Sequence, residues 1–185
     1  MPSNPTRRET LTDAGLRVLA AHGARHLTHR ATDREAGVPL GTTVNYFSTR
    51  TALLAGLGHR IFERLAPAPA EVPPPGTAPA AAYIHNIVRR TTEQPELTLA
   101  LFELRLEAAR HPELARALTS TLERSYAQDV AFHGQAGLPG GAREVALLHY
   151  AVDGLLLDLL TVSINGRQDT AEMVELLVRR LLHPA

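Results

Sequence analysis

An all-α fold of about nine helices is what this 185-residue chain predicts, and three observations carry the prediction. Apolar residues recur at spacings of three and four through most of the chain, which is the period of one face of a helix. Proline, often with glycine beside it, stands at the ends of these runs, where helices stop or start. No stretch alternates apolar and polar residues between turn signals, so no strand is expected.

The elements follow in order. Residues 1–5 are expected to be disordered. A first helix begins at Thr6, with Leu11, Ala14, Gly15, Val18, Leu19 and His22 on one stripe, and stops at Gly23. Thr28 is an N-cap for a second, short helix that Gly37 closes in a left-handed conformation. Val38-Pro39 cannot continue that helix, but Pro39 can be the first residue of the next, because its missing N–H needs no partner there. The third helix then covers Gly41 to Phe47. Two short helices joined steeply through a glycine turn form a helix-turn-helix. Thr49 to Leu65 is a fourth helix, with Leu53, Leu54, Leu57, Ile61 and Leu65 along one side.

Residues 66–79 hold six prolines. They predict extended polyproline-type chain over the surface and mark a domain boundary. Beyond them lie helices over Ala80–Thr92, Pro95–Ala109 and Pro112–Gln135. The latter two each start with proline followed by an acid, which suits the positive end of a helix. Gly137 to Gly141 closes the third of these. The last pair, Ala142–Ile164 and Thr170–Leu182, breaks at Asn165-Gly166. The Ala142–Ile164 helix is apolar almost all round, so one face packs on its own body and the other requires a partner.

Composition narrows the function. There is no cysteine, hence no disulfide and no thiolate metal site. Val145 to Ile164 is the nearest approach to a transmembrane span, but His149, Asp153 and Asp158 interrupt it, and Met1 to Thr12 is polar; a soluble cytoplasmic protein without a membrane partner is expected. The net charge is zero, yet residues 1–65 carry nine arginines against five acids, and the remainder ten against fourteen. A basic head on an acidic body suits a nucleic-acid binder. Catalysis has no support: the chain lacks a phosphate loop, Gly-x-Ser-x-Gly, His-Glu-x-x-His and a thiol nucleophile, so no enzyme and no cofactor is expected. His22, His26 and His29 are split by Gly23 and read as surface and helix-end histidines rather than metal ligands.

The stretch from Leu27 to Leu54 resembles the DNA-binding head of the tetracycline-repressor (TetR) family. The resemblance rests on Thr28, Arg30, Ala36-Gly37-Val38, Gly41-Thr42, Tyr46-Phe47, Arg50 and Leu53-Leu54. It departs from the family at Thr32 and Asp33, where relatives place an apolar and a small residue, and at Val44 and Asn45, where aromatic residues are frequent. It implies a ligand-released transcriptional repressor with four segments: a helix-turn-helix DNA-binding domain (1–48), a connecting helix (49–65), a proline-rich linker (66–79), and a larger helical ligand-binding and dimerisation domain (80–185). It also implies a homodimer through residues 142–164 and 170–182, on a pseudo-palindromic double-stranded DNA operator. An alternative reading, prompted by Thr32 and Asp33, is a helical ligand-carrying or interaction protein whose head no longer binds DNA.

For the DNA contacts, Thr28, Arg30 and Arg50 are placed to meet phosphates. Thr42, Thr43 and Asn45 face the major groove, where asparagine pairs with adenine and threonine methyls meet thymine. Tyr46 touches the backbone, and Phe47 is core. Thr43 has core packing as its competing role. For a small-molecule, mostly apolar effector, the candidates are Asn86, Phe102, Leu106, Tyr126, His149 and Asp153, polar or aromatic residues on interior-type helices. Ordinary packing is the competing role for each of these.

Overall fold

The computed structural model describes residues 4–68, 71–164, 166 and 168–182. Residues 1–3 of the expected disordered start, 69–70 of the proline-rich segment, and Asn165 of the expected break lie outside that range. Among the described residues the chain forms nine α-helices and no strand: α1 (Pro5–His22), α2 (His29–Glu35), α3 (Thr42–Tyr46), α4 (Arg50–Leu65), α5 (Ala80–Glu93), α6 (Pro95–Ala108), α7 (Pro112–Gln135), α8 (Ala142–Leu160) and α9 (Thr170–Leu182), with a single 3-10 turn at Ala24–His26. The all-α expectation therefore holds.

By packing the chain divides into two units. One holds residues 1–66 together with 96–121, and the other holds 67–95 with 122–185. α6 from Glu96 onward and the first turns of α7 thus group with the N-terminal helices, so packing divides the chain differently from the four segments of the sequence.

In the first unit, Leu11, Leu19, Leu27, Phe47, Leu53, Leu54, Leu57 and Ile61 form one buried cluster with Leu97, Leu104, Leu114 and Leu118. Each such side chain contributes about 1.5–3 kcal/mol by leaving water. Two glycines of α4 allow close approach: a Cβ at Gly58 would sit 2.5 Å from Leu118 Cδ2, and one at Gly56 only 2.4 Å from Phe47 Cε1. A phenyl ring cannot swing aside as a flexible chain end can. Gly56→Ala is therefore expected to destabilise the first unit by about 1–3 kcal/mol through overpacking, read as a lowered urea midpoint; an unchanged midpoint would contradict this packing.

In the second unit α5, α8 and α9 pack on one another. Val145, Leu148, Val152 and Leu156 of α8 are buried, as are Val174, Val178 and Leu182 of α9. Three sequence expectations need correction here and at the head. Pro39 does not open the third helix: it lies in the turn, where its carbonyl accepts from the Thr42 amide, and Gly41 at φ 92° precedes the first helical residue. α8 ends at Leu160 rather than Ile164. The β-branched run Thr161-Val162 favours leaving the helix, and the Asp158 carboxylate accepts from the Ser163 hydroxyl and the Ile164 amide, both at 2.8 Å. The proline-rich segment is not simply extended. It turns at Pro74–Thr77 around Gly76, and α5 holds it, with the Tyr83 hydroxyl on Pro74 O (2.9 Å) and Asn86 Nδ2 on Glu71 O (2.7 Å).

Candidate nucleic-acid interface

A five-residue helix cannot hold itself together in water, because nucleation costs more than one or two hydrogen bonds return. α3 is such a helix, and it is held from outside at both ends. Its N-cap position is Gly41, which has no side chain to cap with. Asp33 of α2 supplies the cap instead. Its Oδ2 accepts from the Gly41 amide at 2.7 Å, and its Oδ1 accepts from the Thr43 amide at 2.7 Å and the Thr43 hydroxyl at 2.5 Å. Asp33, Thr43 and Thr32 are all fully buried. Burial works to raise the Asp33 pKa, but the bonds from Thr43 and Gly41 outweigh it and, with the nearby His29, hold the carboxyl below the ordinary aspartate value. A buried carboxylate with three donors stays charged and satisfied.

At the other end of α3, Phe47 O accepts from His29 Nε2 at 2.6 Å and Tyr46 O accepts from Arg8 Nη1 at 3.3 Å. The Arg8 guanidinium also lies 4.2 Å from the centre of the Phe47 ring. A carboxylate at the N-terminus and donors at the C-terminus match the polarity of the helix dipole. α2 itself starts as the sequence indicates: Thr28 Oγ1 accepts from the Ala31 amide, and Gly37 at φ 64° closes the C-terminus, where Val38 N donates to Asp33 O. Thr32, the other departure from the family pattern, bonds its hydroxyl to Thr28 O. Neither helix buries a side-chain nitrogen or oxygen without a hydrogen-bond partner.

The predicted contact residues separate into two sets. Thr28, Arg30 and Asn45 are exposed, and Thr42 and Tyr46 half-buried. Among the described residues Arg30 makes no ion pair, nor does exposed Arg34 on the same helix. Thr43 is corrected: fully buried and bonded to Asp33, it has no atom to offer a base. Arg50 is occupied within its own unit, with Nη1 on Glu107 Oε1 at 2.9 Å and Nη2 on Ala24 O at 2.7 Å. Although burial favours the neutral acid, Arg50, Arg110 and His111 hold the Glu107 carboxyl below its ordinary pKa. A phosphate would have to compete with that ion pair for the guanidinium. Sequence reasoning missed Asp33, Arg8 and His29 as the supports of α3. One signal was present: an acid stands where relatives place a small residue, ten positions before a threonine that could satisfy it.

The six effector candidates do not fall in one place. Phe102 and Leu106 belong to the first unit, and Asn86, Tyr126, His149 and Asp153 to the second. Leu106 is 64% exposed and borders an open cleft of about 480 Å³ whose remaining lining, Ala24, Arg25, Glu103, Glu107 and Arg110, is mostly charged. Asn86 is engaged by Glu71 O and by Arg90 Nε. Tyr126 and His149 do come together, ring edge to face at 5.8 Å; the Tyr126 hydroxyl bonds Ala142 O, and His149 Nε2 lies 3.1 Å from Asp129. Asp153, one turn after His149, is half-buried.

Residues 75–184 match the family model of the tetracyclin repressor-like C-terminal domain. No curated protein matches the chain in sequence. Among solved structures, the multidrug binding protein EbrR, in complex with imidazole, is 25% identical, with 97% of this chain and 91% of that one covered and a TM-score of 0.71. A transcriptional regulator from Rhodococcus sp. Rha1 is 23% identical over 95% of this chain and 93% of its own, with a TM-score of 0.71. Another chain from Rhodococcus sp., classed as a TetR-family transcriptional regulator, is 22% identical over 95% and 96%, with a TM-score of 0.75. The two Rhodococcus structures establish likeness of fold.

Proposed function

We propose a function on one premise: this chain belongs to the tetracyclin repressor-like family of transcriptional regulators. It is a sequence-specific, DNA-binding regulator that acts as a homodimer and releases its operator when a small molecule occupies the C-terminal domain. The observation that carries the reading is the clamping of α3 by Asp33 at one end and by His29 and Arg8 at the other. The clamp anchors α3 through buried Thr43 and the core residue Phe47 at its C-cap, and it fits a helix whose remaining, exposed side must be presented rigidly to a partner.

On this reading Thr28 and Arg30 fix the register on phosphates while Thr42 and Asn45 meet base edges and Tyr46 packs against the backbone. A two-fold pair of heads then spans successive major grooves about 34 Å apart, and the operator is a pseudo-palindrome. Dimerisation uses α8, whose Leu147, Tyr150 and Leu157 remain exposed on one side. The effector site belongs around Tyr126 and His149 in the second unit, whose aromatic edges and nearby carboxylate suit a small aromatic compound. EbrR, a multidrug binding protein in complex with imidazole, supports an effector of that aromatic class. The competing reading, a head that has lost DNA binding, loses its motive, because Thr32 and Asp33 are bonded rather than disruptive.

The test is fluorescence anisotropy of the purified protein on a duplex selected from a random-sequence pool, with a scrambled duplex as control and two salt concentrations. Specific binding that weakens as salt rises supports the reading; failure of the pool to enrich any sequence overturns it. On the selected duplex, Asn45→Ala is expected to lower affinity by about 1–3 kcal/mol and to relax base preference at one position of each half-site. A uniform loss across all sequences would instead make Asn45 a phosphate contact.

A further inference from the structure

From Ala36 to Thr49 the chain contains no arginine, lysine, aspartate, glutamate or histidine. This segment is the whole of the turn, α3 and the turn that follows. It therefore has no cation for the commonest guanine contact, to O6 and N7, and no carboxylate to accept from cytosine N4. Its exposed side chains are uncharged: Asn45, Ser48 and Thr49 are polar, and two are large and apolar. Leu40 in the turn is 56% exposed and Val44 in α3 is 44% exposed, while α3 buries Thr43 and packs Phe47 inward. A single exposed leucine on a soluble protein needs no account. Two large apolar side chains within five residues, next to an exposed asparagine and on a helix braced from both ends, form a surface of defined chemistry.

Resting on the DNA-binding reading above, we propose that Leu40 and Val44 read thymine 5-methyl groups, and that the base pairs facing α3 are consequently A·T, with Asn45 on an adenine. The major-groove edge of a thymine is one carbonyl oxygen and one methyl; cytosine shares neither. An isobutyl and an isopropyl group gain from covering that methyl, the one methyl that any base presents in the major groove. Against a G·C pair they would strip water from the guanine acceptors without replacing it, and that desolvation is the source of discrimination.

Deoxyuridine tests this directly, since it removes the methyl and leaves every hydrogen-bonding atom in place. The full-length protein selects its duplex from the random pool, and each thymine of the selected half-site is then replaced singly by deoxyuridine for anisotropy titration. One or two replacements per half-site are expected to weaken binding about four-fold, the worth of one buried methyl-sized group. Leu40→Ala and Val44→Ala, both at exposed positions and so expected to melt as the parent does, should each abolish the sensitivity at one thymine. Selected half-sites with G·C at the α3 positions, or specific binding indifferent to every uracil, would overturn the assignment while leaving the regulator reading intact. A pool that yields no sequence at all removes the regulator reading, and this assignment falls with it.

Discussion

Asp33→Ala is expected to cost the first unit about 3–5 kcal/mol and to abolish specific DNA binding. The substitution leaves the buried Thr43 amide and hydroxyl, both now bonded to that carboxylate, with no acceptor, and takes away the acceptor of the part-buried Gly41 amide. Stranding buried donors in this way is among the costlier single changes. In a chain of this length each kcal/mol moves the melting temperature by about 2–4 °C, so a fall on the order of 10 °C is expected in a calorimetric scan. Asp33→Asn keeps the shape and one acceptor but turns an NH2 group toward a donor, and should fall between the two. The acid limb adds a test specific to the charge. Because the folded-state pKa of Asp33 is depressed, its stabilisation is complete above the ordinary aspartate value, about 3.9, and is lost as pH falls through the lower folded value. Asp33→Asn should lack that component. A variant with parental melting and parental DNA affinity would show that α3 does not depend on this cap.

Many helix ends were legible in the sequence because they carry their own local chemistry: Thr28 as a cap, Gly37 as a left-handed stop, Gly23 as the end of α1, and proline opening α6 and α7. Periodicity likewise identified Leu53, Leu54, Leu57 and Ile61 as the buried side of α4. What the sequence concealed were the contacts between elements. The acid at position 33 read as a defect in helix packing, since nothing local says that an aspartate in one helix will cap another ten residues on. Thr43 was ambiguous for the same reason: its neighbours on α3 do not reveal which side of so short a helix faces inward. Arg50, read as a phosphate ligand, has partners that no local pattern shows: Glu107 and the Ala24 carbonyl, across 57 and 26 residues of chain. The grouping of α6 with the head was equally invisible, because an apolar stripe states that a face is buried and not what covers it.

That limit applies with most force to α8, where the apolar pattern runs round the helix and only part of it is covered. Val145, Leu148, Val152 and Leu156 are buried within the second unit, while Leu147 (39% exposed), Tyr150 (72%) and Leu157 (50%) remain open, spaced by three and seven residues along one side. Three large apolar groups at helical spacing, with exposed Gly154 between them permitting close approach, suit the same stripe of a second copy packed by two-fold symmetry. The double substitution Tyr150→Arg with Leu157→Glu should therefore convert a dimer to a monomer in sedimentation velocity, with helical content by circular dichroism unchanged because neither residue supports its own fold. Affinity for a palindromic duplex should fall by about 100-fold or more, since the second head then no longer binds at the high effective concentration that the first one creates. Affinity for a half-site duplex should hardly change. This contrast separates assembly from recognition: Asp33→Ala should weaken both duplexes together, whereas the α8 pair should weaken only the palindrome. A variant that remains dimeric would move the interface off this stripe, and a parent protein that is monomeric at micromolar concentration would remove the symmetry from which the operator's pseudo-palindrome was argued.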